Sequence, residues 1–147
     1  MRTMCFALFG MLLTIAHAFA GPAEEAGAAV EHWSAVYNSN DRDALVKLYT
    51  VDAILFGTNS TIAIHGTDGI RNYFAALNNG DRTNTILEKT AMAISDNAVV
   101  VAGFYDFGRK NDSNRVIPAR FTMVLVKRDG QWLILHHHSS PRGAAPQ

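Results

Sequence analysis

Two short turns constrain this chain more than any other feature. Asp129-Gly130 is the strongest short hairpin signal, because both central residues of a tight two-residue turn need a positive φ, and Asp96-Asn97 is a second two-residue turn of the same use. On both sides of each turn apolar residues recur with period two, over 82–95 and 98–108 and then over 116–128 and 131–140. The pattern predicts four long antiparallel strands. Residues 109–115, polar and rich in Asn and Asp, are expected to form a long loop between the two hairpins, and 141–147 a frayed tail. The later strands are apolar on both faces: Phe121, Met123 and Leu125 alternate with Thr122, Val124 and Val126, and Leu133 and Leu135 with Trp132 and Ile134. A sheet with one solvated face does not place its residues this way, so one face covers helices and the other is expected to meet another subunit.

Ahead of residue 82 the period is helical. Ala26, Ala29, Val30, Trp33, Val36 and Tyr37 place one apolar side on a helix over 22–37, with Pro22 suited to its first turn. Asn38-Ser39-Asn40-Asp41 interrupts it, and Asp41 is a candidate N-cap for a short second helix carrying Ala44, Leu45, Leu48 and Tyr49. Strands are expected over 51–58 and 61–65. A third helix, capped by Thr67, would run to Leu77 with Gly80 beyond its end.

The first residues have a different purpose. Arg2 supplies a positive start, 5–16 is an apolar run, and Ala18-Phe19-Ala20 is a small-residue cleavage pattern, so 1–20 reads as a secretory signal peptide and 21–147 as a single domain. A membrane span needs about 20 apolar residues, more than this run has. The one cysteine, Cys5, leaves with the signal, which removes disulfides, thiolate metal sites and cysteine nucleophiles from the mature domain. A periplasmic or secreted protein without membrane attachment is expected. Hydrophobic residues at 48% against charged residues at 18% exclude a disordered chain. Lys plus Arg equals Asp plus Glu at 13 each, which leaves no basic footprint for nucleic acid.

The element order, with "NDRDALVKLYTVDAILF", "IHGTDGIRNYF" and "FTMVLVKRDGQWLILHHHSS", resembles the nuclear transport factor 2-like superfamily, and within it the SnoaL-like group and the association domain of calcium/calmodulin-dependent protein kinase II. The resemblance covers nearly all of 24–140. It implies an α+β fold, a cone-like, curved, mostly antiparallel sheet wrapped on three N-terminal helices. It further implies a pocket at the open end and subunits that pair through the sheet. Where the steroid-isomerase branch has its catalytic aspartate, this chain has Gly57; where that branch keeps a tyrosine on the first helix, it has Trp33. Arg71, His136 and His138 match residues of the kinase association domain, while Phe104 and Met123 stand where that domain has pocket arginines.

Strand alternation puts His136 and His138 on one face and His137 on the other. Counting back from the Asp129-Gly130 turn sets Met123 opposite His136, Phe121 opposite His138 and Arg120 across from Ser139. On this register His136 and His138 enter the cone, and His137 lies outside with Arg120. A His-x-His pair also has metal-ligand spacing, but no carboxylate or cysteine ligand stands beside it, so no metal and no cofactor are expected. Asp106, expected on the same inward face as Phe104, is the one well-placed acid on the inner strands. Trp33 and Tyr37 carry donors on the helix that closes the cone. The ligand-binding candidates are therefore Trp33, Tyr37, Arg71, Phe104, Met123, His136 and His138. The resulting expectation is an exported small-molecule-binding homodimer or larger homo-oligomer with a mostly apolar pocket. One alternative is a cofactor-independent SnoaL-like isomerase, cyclase or hydrolase in which His138 or Asp106 moves a proton; the other is a pure oligomerisation module.

Overall fold

The computed structural model describes residues 20–143, so the export segment, but for its last residue, and the end of the tail lie outside the described residues. Helix α1 (Pro22–Ser39) opens with Pro22 in its first turn, and Glu24 and Glu25 set negative charge at the positive end of the helix dipole. It stops at Asn40, which takes φ 61°, a left-handed conformation Asn adopts more readily than most residues. In α2 (Arg42–Val46) the Asp41 carboxylate accepts the Ala44 N–H at 2.9 Å, a cap worth about 1 kcal/mol.

Strands β1 (Tyr49–Phe56) and β2 (Ile64–His65) follow, then α3 (Gly66–Tyr73) and a tighter 3₁₀ segment, Phe74–Asn79. Thr67 does not cap this helix. The chain turns one residue earlier, because Gly66 at φ 66° makes the corner out of β2 that a side chain would strain. The helix also stops being α-helical before Leu77, and three-residue spacing keeps Phe74 and Leu77 buried together.

Strands β3 (Arg82–Ser95), β4 (Ala98–Arg109), β5 (Asp112–Arg128) and β6 (Gln131–Pro141) complete one sheet in the order β2-β1-β6-β5-β4-β3. All neighbours are antiparallel except β1 and β6. Asp129 at φ 51° and Gly130 at φ 78° form the turn their dipeptide predicts. The long loop expected over 109–115 is instead a two-residue turn at Lys110 and Asn111, with Arg109 paired to Asp112. Pairing satisfies backbone groups that a loop leaves to water, and the surplus residues are absorbed as a bulge before Phe107 meets Ile117. Pro141, expected in the tail, ends β6 opposite Ala119.

The sheet curls because its strands do not match residue for residue. β3 slips against β4 between Ile86 and Glu88 and again between Ala93 and Ser95, and each such bulge adds twist and bend. Gly103 marks the tightest approach: a Cβ there would overlap the Glu88 carbonyl oxygen. Into the concave face lies α1, presenting Ala26, Val30, Trp33 and Tyr37 to Val101, Tyr105, Phe121, Met123 and Leu125, all buried. Each large side chain removed from water in this way contributes roughly 1.5–3 kcal/mol. At one end of α1, Glu25 accepts from Lys127 at 2.6 Å and from the Trp132 indole at 2.8 Å. The result is an α+β cone, a curved six-stranded and mostly antiparallel sheet with its helices on the N-terminal side.

Candidate functional site

One unpaired residue in β6 decides which histidine enters the cone. From the turn, pairs run regularly from Arg128 with Gln131 to Leu125 with Ile134; then Leu135 is left over, and Val124 faces His136, Met123 faces His137 and Thr122 faces His138. A one-residue slip exchanges the faces of everything beyond it. His137 is thus the inward imidazole, 2% exposed, whereas His136 and His138 lie on the outer face beside Phe56, with ring centroids 5.8 and 6.2 Å away. The expected inward pair and outward His137 are therefore reversed. Phe121 meets Ser139, not His138, and Arg120 meets Ser140, not Ser139.

The β4 assignment reverses too. Tyr105 pairs with Ala119 and is fully buried, so alternation turns Phe104 and Asp106 outward. There Asp106 accepts from Arg142 at 3.4 Å, and the Arg142 guanidinium lies 5.1 Å from the Phe104 ring centre. Arg71 pairs with Asp43 at the surface. Met123 is inward and buried, but it stands in the packed core rather than in a cavity wall. Of the expected site residues, only Trp33 and Tyr37 come together around a cavity.

That cavity has a volume of about 240 Å³. Its lining mixes the apolar Leu55, Phe74, Leu77, Phe107 and Ile117 with the hydroxyl-bearing Tyr37, Thr58, Tyr73, Tyr105 and Ser139, and with His137 and Trp33. Trp33 Nε1 donates to the Tyr49 hydroxyl at 2.9 Å. Tyr49 Oη lies 2.9 Å from His137 Nδ1, and His137 Nε2 lies 3.2 Å from the Tyr105 hydroxyl. The Trp33 and His137 rings meet edge to face at 5.3 Å. Thr58 and Ser139 hydrogen-bond each other through their hydroxyls.

Burial sets the charge state of this wall. Removal from water, with the neighbouring His136 and His138 adding to it, pushes the His137 pKa down to about 3, so the imidazole is neutral near pH 7. The same loss of solvation raises Tyr37 to about 12 and moves Tyr49, Tyr73 and Tyr105 upward, so every phenol in the wall keeps its proton. Outside, His136 is lowered as well, first by its own burial and then by His138. Arg82 supplies the cavity's positive charge. The Asn40 side chain positions it by binding the Arg82 N–H and the Arg82 carbonyl, both at 2.9 Å. Its Nε is buried without a hydrogen-bond partner, 3.5 Å from Asp81.

Gly57 lines the cavity, and a Cβ at that position would overlap the Tyr73 ring. Tyr73 therefore fills the space that the aspartate of the steroid-isomerase pattern would need. Among the described residues, no three His, Cys, Asp or Glu side chains cluster as a metal site. Thr58, Tyr73, Arg82, Tyr105 and Ser139 were not among the expected site residues, and His137 was expected outside the cone. For Tyr105 a signal was present: a charged Asp106 on a strand apolar on both sides points outward, which turns Tyr105 inward.

A curved sheet wrapped on helices, with a cavity lined from both, defines the nuclear transport factor 2-like class of cone folds. The SnoaL-like domain model matches residues 27–143, and the chain belongs to that family. Among solved structures it is similar to one called a calcium/calmodulin dependent protein kinase II association domain, from Xanthomonas campestris. The two are 30% identical over 91% of this chain and 100% of that one, with a TM-score of 0.74. A protein called scytalone dehydratase, from Novosphingobium aromaticivorans, is 13% identical over 81% and 83% of the two chains, with a TM-score of 0.71. A ketosteroid isomerase-like protein from Erwinia carotovora atroseptica is 21% identical over 87% and 100%, at 0.65. The last two share the fold alone. Among curated proteins nothing matches the chain.

Proposed function

We propose that this chain is an exported, homo-oligomeric small-molecule-binding domain, with the cavity inside the cone as its ligand site. The observation that carries this reading is the cavity lining, in which apolar side chains stand with protonated hydroxyls and a neutral imidazole. Such a wall orients a ligand by hydrogen bonds, and an imidazole with a pKa of about 3 is a poor acceptor for a proton taken from a substrate near pH 7. About 240 Å³ is eight times the roughly 30 Å³ share of one water, the scale of a single-ring compound. Mass spectrometry of small molecules released from the purified mature protein tests the reading, with His137→Gln compared against His136→Ala and His138→Ala. Loss of the released compound in the His137 variant alone is the expected result. Retention in all three overturns it.

Oligomerisation belongs to the same proposal and is supported by the outer sheet face, where Val124, Val126, Leu133 and Phe56 stay partly exposed. Export is supported by the sequence of 1–20 and is tested by sequencing the mature N-terminus. A start at Gly21 is expected, and a product beginning at Met1 counts against it.

A further inference from the structure

We infer that the indole N–H of Trp33 sets the direction of the hydrogen bonds running from it to the cavity, so that Tyr105 presents a donor there and selects ligands bearing an acceptor-only oxygen, a carbonyl or carboxylate. This rests on the reading of the cavity as a ligand site.

An indole N–H can only donate, and that of Trp33 is directed at the Tyr49 hydroxyl, 2.9 Å away. Tyr49 is buried, has one proton to give, and its other neighbour at hydrogen-bond distance is His137 Nδ1, at 2.9 Å. If Nδ1 carried a proton, the Tyr49 oxygen would accept from both sides and its own proton would be stranded, at a cost of about 1–3 kcal/mol. Tyr49 therefore donates to Nδ1, and the neutral His137 keeps its proton on Nε2. Nε2 in turn donates to Tyr105 at 3.2 Å. Tyr105 lines the cavity, its oxygen is engaged by His137, and its own proton is left to give. Each group passes the donor role onward, and the row ends in a free O–H on the cavity side. Reversed polarity would end it in a bare lone pair and favour an alcohol or amine. Trp33 is thus a positioning residue acting through three others.

Two measurements on the full mature chain test this. Nitrogen NMR of labelled protein reads which His137 nitrogen is protonated, and titration with acetophenone and its isostere α-methylstyrene reads acceptor selection. Wild type is expected to carry the proton on Nε2 and to prefer acetophenone. Trp33→Phe keeps a ring in the core but removes the donor, so Nδ1 should gain a proton in part of the population and the preference should fall roughly two- to tenfold. Should Trp33→Phe fail to fold, Tyr105→Phe breaks the row at its last buried link. It should lose the same preference with Nε2 still protonated. A wild-type His137 protonated on Nδ1 overturns the proposal whatever binds, and so does equal affinity for the two probes. If neither probe binds while Nε2 carries the proton, the ligand reading fails and only the internal polarity stands.

Discussion

At His137 the surroundings and the proton compete. Its folded pKa of about 3 lies below the ordinary 6.5, so between these values the unfolded chain binds a proton that the native one refuses. The stabilisation is whole above pH 6.5 and is lost as pH falls toward about 3, at roughly 1.4 kcal/mol per unit inside that window. Glu25 and Asp52, held below their usual range chiefly by hydrogen bonds from Lys127 and Arg128, lose stabilisation in acid as well. The informative quantity is therefore the difference from His137→Gln, measured by urea unfolding across the window. That variant is expected to be about 1–3 kcal/mol less stable at pH 7, from broken bonds to Tyr49 and Tyr105, and to show a shallower slope below 6.5. Parallel curves would remove His137 as the acid-sensitive group. A second expectation concerns Gly57→Asp, which should fold poorly alone and recover when combined with Tyr73→Ala, because the ring occupies the space the carboxylate needs. Thermal unfolding of the single and double variants decides it. Gly57 was legible in the sequence, but the inward histidine was not. The three consecutive histidines announced a site, but nothing local in "LILHHHSS" says which of them faces inward.

Elements were legible where their cause is local. The Asp41 cap, the Asp129-Gly130 turn and the apolar side of α1 are written within a few residues of where they act, and they appear where the sequence puts them. The β6 slip at Leu135 is different, since it comes from fitting two whole strands on a curved sheet. With apolar residues on both faces of β5 and β6, neither register exposes an obvious misfit, so the pattern could not choose between them. The same curvature makes Gly103 the most sensitive strand position. Gly103→Ala should lower stability by about 1–3 kcal/mol, because its methyl group meets the β3 backbone at Glu88. Chemical denaturation measures this, and an unchanged midpoint would mean that β3 can move away.

For the molecule as a whole, the proposed association rests on the outer sheet face. Met92 is 56% exposed and Phe56 43%, with Val124 and Val126 half-buried between them on the same face. A charge placed there should prevent association: Val124→Glu is expected to shift the mature protein to a monomer in light scattering, or to make it insoluble if the monomer cannot stand alone. A wild type that is already monomeric at high concentration would dismiss the interface.

The parallel pairing of β1 with β6 joins the first full strand of the sheet to the last. β1 has on its other side only the two-residue β2, so during synthesis it waits, nearly unpartnered, until almost the whole chain has been made. Contacts this distant in sequence form late and slowly. The cavity inherits that order, because Leu55 and Gly57 come from one end of the chain and His137 and Ser139 from the other. A chain cut short before β6 has helices, hairpins and a hydrophobic face but no closed wall, so the cavity exists only once the last strand has been made.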